Sequence, residues 1–203
     1  MSARGKFVTL EGVDGAGKST HVQFIADTLA SGGRKVVVTR EPGGTELAER
    51  LRKRILEEPM DPVAATRLIF EGRADHVTRV IRPALEAGSW VVCDRFTDAT
   101  VAYQGAGQGV PLELIERLGI DAHGGLVPDR TLLFDCPYQV STQRLITSGR
   151  ALDRFEREDR AFFDRVRNAY LERARAEPGR VRVIDATEDL ARIRKALEKH
   201  LAF

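Results

Sequence analysis

Apolar residues along this chain fall into two alternating rhythms, runs of four or five and longer stretches with helical spacing. The first run, Lys6-Phe7-Val8-Thr9-Leu10-Glu11, has the length of a buried strand. From Ser19 to Ala30, Val22, Phe24, Ile25 and Leu29 recur close to a helical period. Lys35-Val36-Val37-Val38-Thr39 reads as a second buried strand, set off by Gly32-Gly33 before it and Pro42-Gly43-Gly44 after it. Thr45 to Leu56 follows as a helix with Leu47, Leu51, Ile55 and Leu56 on one face, broken by Pro59 and Pro62. A longer helical region, about Val63 to Ala87, carries Leu68, Ile69, Val77, Val80, Ile81 and Leu85, with Gly72 and Pro83 as points of bending or division. Three more strands are expected at Ser89–Cys93, Thr131–Asp135 and Val181–Asp185. Helices fill the intervals: from Asp98 to Gln104, Leu112 to Ala122, beyond Pro137 to about Thr147, Arg160 to Ala176, and about Glu188 to Leu201.

Strands alternating with helices predict an α/β fold, a five-stranded parallel sheet with helices on both faces and right-handed crossovers. Its 203 residues suit one domain, and no internal repeat or low-complexity linker divides it. In such sheets ligands gather at the carboxyl ends of the strands. That rule makes Asp14, Arg40, Asp94, Arg95 and Asp135 neighbours in space, far apart as they are in sequence.

Between the first strand and the first helix lies Gly12-Val13-Asp14-Gly15-Ala16-Gly17-Lys18-Ser19, followed by Thr20. Gly, four free positions, Gly, Lys and Ser, with a strand before and a helix after, is the phosphate-binding loop of the P-loop NTP hydrolase type. Glycines let successive N–H groups turn inward around phosphate oxygens, and the helix N-terminus adds unpaired donors behind the anion. Lys18 is expected to reach the β- and γ-phosphates, and the Ser19 hydroxyl to ligate Mg²⁺. The alternative, a glycine-rich turn matching by chance, lacks an account of the flanking strand and helix. The third strand runs straight into Asp94-Arg95, a carboxylate placed for Mg²⁺ beside a cation for a second phosphate; the bland reading is a structural ion pair.

Composition narrows the partners. With 42% hydrophobic and 31% charged residues, a net charge of +2 and basic residues interleaved with acidic ones, nothing resembles a nucleic-acid-binding stripe. No apolar run approaches the roughly 18 residues that span a bilayer, so no membrane partner is expected. The N-terminus enters a strand directly, leaving no room for a signal peptide, so the cytoplasm is the expected compartment. Cys93 and Cys136, each ending an apolar run, read as buried free thiols. A guanine switch would carry Asn-Lys-x-Asp after a strand, and the chain has none; Asp121-Ala122-His123-Gly124 follows a predicted helix and is a chance match.

Four further blocks stand in one order: Thr39-Arg40-Glu41-Pro42-Gly43-Gly44-Thr45, Asp94-Arg95-Phe96, Tyr103-Gln104-Gly105-x-Gly107-x-Gly109 and Leu152-Asp153-Arg154-Phe155-Glu156. Together with the phosphate loop they resemble the signatures of the bacterial thymidylate kinases, from Lys6 to about Asp185. The resemblance implies transfer of the ATP γ-phosphoryl to dTMP, giving dTDP for dTTP biosynthesis, with Mg²⁺ as cofactor and usually a homodimer. It implies that Asp14 accepts the acceptor sugar's 3′-hydroxyl, that Arg95 holds the dTMP phosphate and that Asp94 sits near Mg²⁺. It further implies that Phe70 stacks on thymine, that Arg73 hydrogen-bonds the base edge, and that Tyr103 lies against C2′ with Thr100 and Gln104 near the base. Many members place the stacking Phe four residues before the Arg. Here Phe70 is three before Arg73 and Ile69 four before, so either can face the base. Gly15 stands where some members carry a catalytic arginine in the loop. The resemblance is therefore to the subtype whose lid, about residues 148–158, supplies the cation. Arg154 and Arg150 are the candidates, while Arg144 and Arg157 read as exposed helix-face charge. A deoxynucleoside kinase and a P-loop ATPase that switches partners are the rival readings.

Overall fold

The computed structural model describes residues 4–202. Five parallel strands, β1 (Phe7–Glu11), β2 (Val36–Arg40), β3 (Trp90–Asp94), β4 (Arg130–Asp135) and β5 (Val181–Asp185), form one sheet in the order β2-β3-β1-β4-β5. β1 is the hub. It leads outward to β2 in one direction, and β4 lies on its other side, so the crevice at its carboxyl end is the switch point where α/β sheets bind ligands. Every residue of β1 is buried. Successive side chains serve opposite faces: Val8 and Leu10 join the larger core with Ile25, Leu29, Leu132 and Phe134, and Phe7 joins the smaller one with Val77, Ile81, Leu85 and Phe96. Register aligns Leu10 with Asp94, which brings the ends of β1 and β3 side by side.

The helices are α1 (Lys18–Ser31), α2 (Glu46–Glu57), α3 (Pro62–His76), α4 (Arg82–Glu86), α5 (Thr97–Thr100), α6 (Leu112–His123), α7 (Tyr138–Thr147), α8 (Arg160–Ala176) and α9 (Leu190–Leu201). Several start where a capping side chain dictates. Thr45 accepts from the Ala48 N–H, Asp61 caps α3 ahead of Pro62, Asp159 accepts from Phe162 and Asp189 from Arg192. No strand or helix spans residues 148–158, which form a loop and turn between α7 and α8.

Two expectations change. β2 is not buried: Val38 is 46% exposed, because β2 is an edge strand with a single neighbour. The long region from Val63 to Ala87 does not bend at Gly72. The absence of a Cβ there lets α3 lie against α2, since an added one would sit 3.3 Å from the Ala48 Cβ. The irregularity falls instead at Val77–Ile81, a wide turn of π type in which the Arg82 N–H bonds to the Val77 carbonyl. It comes just ahead of Pro83, whose ring a regular turn would drive into the carbonyl four residues back. A second such segment, Val101–Gly107, follows α5 and carries Tyr103 and Gln104.

Candidate active site

The loop after β1 takes its shape from three glycines in the left-handed region, Gly12 (φ 134°), Gly15 (φ 75°) and Gly17 (φ 92°). Side chains are excluded as well as strained: a Cβ on Gly12 would meet the Phe134 carbonyl at 2.3 Å, and one on Gly15 the Ser141 carbonyl at 2.5 Å. Lys18 folds back over the loop, its Nζ 2.9 Å from the carbonyls of both Gly12 and Val13. Burial, reinforced by the nearby Arg95 charge, pulls its pKa down to about 8 against the opposing pull of Asp14, Asp94 and Glu11. At about 8 the amine is still mostly protonated near neutral pH, and a polyphosphate in the crevice would supply counter-charge that raises the pKa again. Ser19 and Thr20 are exposed at the start of α1 and line the same crevice, of about 710 Å³. Gly12 and Val13 contribute main-chain carbonyls, and the Val13 side chain belongs to the core.

Across the crevice stands Arg95, the one non-glycine among the described residues with positive φ (73°). Such a backbone costs about 1–3 kcal/mol and persists only where its surroundings hold it. Its Nη2 lies 2.6 Å from Asp14 Oδ1 and 3.1 Å from the Tyr103 hydroxyl, and its Nη1 reaches the Gly12 carbonyl at 3.0 Å and the Tyr170 hydroxyl at 3.1 Å. Tyr103 donates to Asp14 Oδ2 (2.7 Å) and accepts from the Asp14 N–H (3.1 Å). Asp14, Arg95 and Tyr103 are thus one hub joining the phosphate loop to β3 and the segment after α5. Burial works against the charged form of Asp14, but Arg95 and Lys18 outweigh it and hold its carboxyl below the usual range.

Beyond the hub a smaller cavity is walled by Ile69, Arg73, Phe96, Ala99, Thr100, Tyr103, Gln104 and Phe155. Arg73 is buried, with Nε 2.6 Å from Glu41 Oε2 and Nη2 3.0 Å from the Thr100 hydroxyl, while its Nη1 is buried with no partner. His76 holds the other Glu41 oxygen at 3.0 Å. Arg73 is therefore fixed on its protein side and has donors left for a ligand.

The expectation that Phe70 offers its ring to this cavity is corrected. Its side chain is 3% exposed and packs with Val110 and Ile115, with the Arg73 guanidinium 4.7 Å from its centroid. On a regular helix a residue three before Arg73 is rotated about 60° to one side and a residue four before about 40° to the other. The cavity lies on the second side, so Ile69 lines it, and Phe96 supplies an aromatic wall.

The lid arginines also divide. Arg150 lines the crevice and is paired with both carboxylate oxygens of Glu156. Arg154 points the other way, donating to the Ile55 and Glu58 carbonyls at 3.1 and 3.3 Å. Those carbonyls end α2, where unsatisfied acceptors attract a cation. Arg144, read from sequence as exposed helix-face charge, is exposed on α7 and also donates to the Ala16 (3.3 Å) and Ala186 (2.8 Å) carbonyls, capping the phosphate loop. Ser141 steadies the same loop through the Asp14 carbonyl at 2.7 Å. Arg40, Glu41 and Arg52 complete the crevice wall. Arg52 could have been found from its place on α2 two turns past the Arg40–Thr45 block; Arg144 carries no local signal.

Asp94 ends β3 with its Oδ1 buried and unpartnered. An orphan carboxylate oxygen and the Ser19 hydroxyl on one polyphosphate crevice suit Mg²⁺, which takes few protein ligands and completes its shell with phosphate and water. Among the described residues no cluster of three or more His, Cys, Asp or Glu forms a cage of its own.

A cationic centre on each wall of one crevice has a use if two phosphates meet between them, and that places the chain among the P-loop phosphotransferases. Comparison with known proteins narrows the class. Residues 10–197 match the family described as thymidylate kinase. A thymidylate kinase of Bordetella petrii is 52% identical over 201 residues, covering 99% of this chain and 97% of the relative. One of Cupriavidus necator is 53% identical, covering 98% of each. The crystal structure of thymidylate kinase from Ehrlichia chaffeensis superimposes with a TM-score of 0.79 at 31% identity, over 98% of this chain and 99% of that one. The chain belongs to the thymidylate kinase family.

Proposed function

We propose that the chain transfers the γ-phosphoryl group of ATP to dTMP, forming dTDP and ADP on the route to dTTP. The observation that carries this reading is the Asp14–Arg95–Tyr103 hub between the two phosphate-binding walls. Loop N–H groups and Lys18 hold the donor phosphates, and Arg95 anchors the acceptor phosphate so that its oxygen faces the γ-phosphorus in line. Asp14 accepts the acceptor sugar's 3′-hydroxyl, and Tyr103 fills the space at C2′, disfavouring a ribonucleotide. Arg73, braced by Glu41 and Thr100, donates from its unpartnered Nη1 to the base edge. Thr100 and Gln104 border the same base. Mg²⁺, when held by Ser19 and Asp94, neutralises charge on the transferring phosphates. Arg150 supplies further positive charge from the lid as the transition state forms.

The reading extends to a homodimer working in the cytoplasm with no nucleic acid or membrane partner. Two buried free thiols support the compartment and interleaved charge the lack of a nucleic-acid partner; among the described residues no helix is long and apolar enough to cross a membrane. Light scattering tests the dimer. ADP release measured across a panel of nucleoside monophosphates, with thymidine alongside, tests the reaction. Turnover highest with dTMP is expected. ATP hydrolysis indifferent to dTMP overturns the reading in favour of an ATPase switch, and preference for thymidine in favour of a deoxynucleoside kinase.

A further inference from the structure

Behind Arg95, on the side away from the crevice, lie two groups that no ligand can touch. Glu11 is 0% exposed and Tyr170 2% exposed. We propose that Glu11 and Tyr170 are positioning residues that lock the backbone and guanidinium of Arg95 in the orientation that receives the acceptor phosphate. The inference rests on the reading of Arg95 as the acceptor-phosphate ligand.

The left-handed Arg95 is fastened at each of its backbone groups. Its N–H donates to the Leu10 carbonyl (2.9 Å), its carbonyl accepts from Cys93 Sγ (3.1 Å), and the next N–H, that of Phe96, donates to Glu11 Oε1 (2.7 Å). One Glu11 oxygen thereby ties down the peptide that leaves the strained residue. The other, Oε2, accepts from the Tyr170 hydroxyl at 2.8 Å. A phenol has a single proton to give, and a guanidinium can only donate. With its proton directed to Glu11, Tyr170 turns a lone pair toward Arg95 Nη1. The second Nη1 hydrogen goes to the Gly12 carbonyl, so Nη1 is fully committed to the protein. The Nη2 side remains for the acceptor, and its present partners, Asp14 and Tyr103, both line the acceptor cavity. Packing of the Tyr170 ring in the main core explains an aromatic at this position of α8. It does not explain the hydroxyl, whose two partners are Glu11 and Arg95.

Tyr170→Phe removes the hydroxyl and keeps the ring, so it separates positioning from packing. Calorimetric titration of dTMP and of thymidine into the wild type, Tyr170→Phe and Arg95→Ala at about pH 9, where Glu11 is ionised and accepts the Tyr170 proton, is the test. Thymidine lacks the phosphate, so the difference between its affinity and that of dTMP isolates the contact of Arg95 with the phosphate. Tyr170→Phe is expected to weaken dTMP about tenfold, the scale of one lost hydrogen bond to a charged group, with thymidine affinity unchanged. In kinetics the KM for dTMP rises correspondingly while kcat and the KM for ATP stay within about twofold. Equal loss for dTMP and thymidine, or loss for neither, overturns the proposal. If Tyr170→Phe does not fold, Glu11→Gln takes its place, because its amide must turn an NH₂ toward either the Phe96 N–H or the Tyr170 hydroxyl; the same split is expected and the same outcomes overturn it. If Arg95→Ala leaves the preference for dTMP over thymidine intact, the reading of Arg95 itself fails. If that variant abolishes the preference and Tyr170→Phe does not reduce it, only the positioning proposal fails.

Discussion

On the proposed reading, the two walls of the crevice bind the same chemical group by different means. The donor wall is nearly one piece of chain, residues 14–20 with the Lys18 side chain, shaped by left-handed glycines. The acceptor wall is assembled from the end of β3, α3, the segment after α5 and the lid, and its cations are held by buried Glu41, half-buried Asp14 and hydroxyls. A main-chain cradle needs only backbone conformation, so it tolerates many surroundings. A guanidinium aimed through buried hydrogen bonds needs every partner in place, because a half-satisfied buried charge is costly. On that reading the donor wall would recognise what all nucleoside triphosphates share, and the acceptor wall would choose a particular monophosphate.

The largest expected effect lies between the walls. Arg150→Ala should lower kcat roughly 10³-fold, the low end of what a transition-state arginine contributes in other phosphoryl transfers, with KM values much less affected. Arg154→Ala should cost less than about tenfold, since its guanidinium caps α2. Steady-state kinetics with saturating MgATP and varied dTMP measures both. A larger loss in Arg154→Ala would mean that the lid exchanges the two arginines when nucleotides bind.

Next comes the contrast itself. Arg95→Ala should weaken dTMP about a hundredfold, since removing one partner of a buried, hydrogen-bonded charge pair typically costs 2–5 kcal/mol, and should leave ATP affinity within about threefold. Comparable losses for both nucleotides would show that the walls are not separable.

A third test uses pH. Burial first, and then the neighbouring Asp98, push the Glu11 carboxyl up to about 8, against the pull of Arg95 and its hydrogen bonds to Tyr170 and Phe96. From its ordinary value of 4.5 up to about 8, the folded protein holds a proton at Glu11 that the unfolded chain has lost. Stability from this group is therefore full below pH 4.5 and declines as pH rises toward 8, by up to about 5 kcal/mol. Urea unfolding at pH 5 and pH 8 should show a smaller difference in Glu11→Gln than in the wild type. An identical difference would count against the shift.

The smallest effect expected is at Phe70. Phe70→Leu should cost about 1–2 kcal/mol of stability through imperfect repacking against Val110 and Ile115, and change dTMP affinity less than about threefold. A tenfold loss of dTMP affinity with stability unchanged would return the ring to the base.

Much of this molecule could be read from the chain alone, for reasons that are local. Strand length, helical spacing and capping residues such as Thr45, Asp61 and Asp159 depend on near neighbours, so the element order and the parallel sheet follow from them. The phosphate loop is legible because its function is a backbone shape, and only glycine allows that shape at Gly12, Gly15 and Gly17. Contacts across the fold could not be read this way. Whether Ile69 or Phe70 faces the cavity turned on which flank of α3 packs against Val110 and Ile115, a rotation of about 100° that spacing does not specify. Arg144 and Arg154 are both arginines in polar surroundings, yet one caps the phosphate loop and the other the end of α2. Tyr170 meets Glu11 across 159 positions of chain. Long flexible cations and buried hydrogen bonds take their partners from tertiary packing, because several acceptors lie within reach of each and only the folded core decides which remain dry and unpaired.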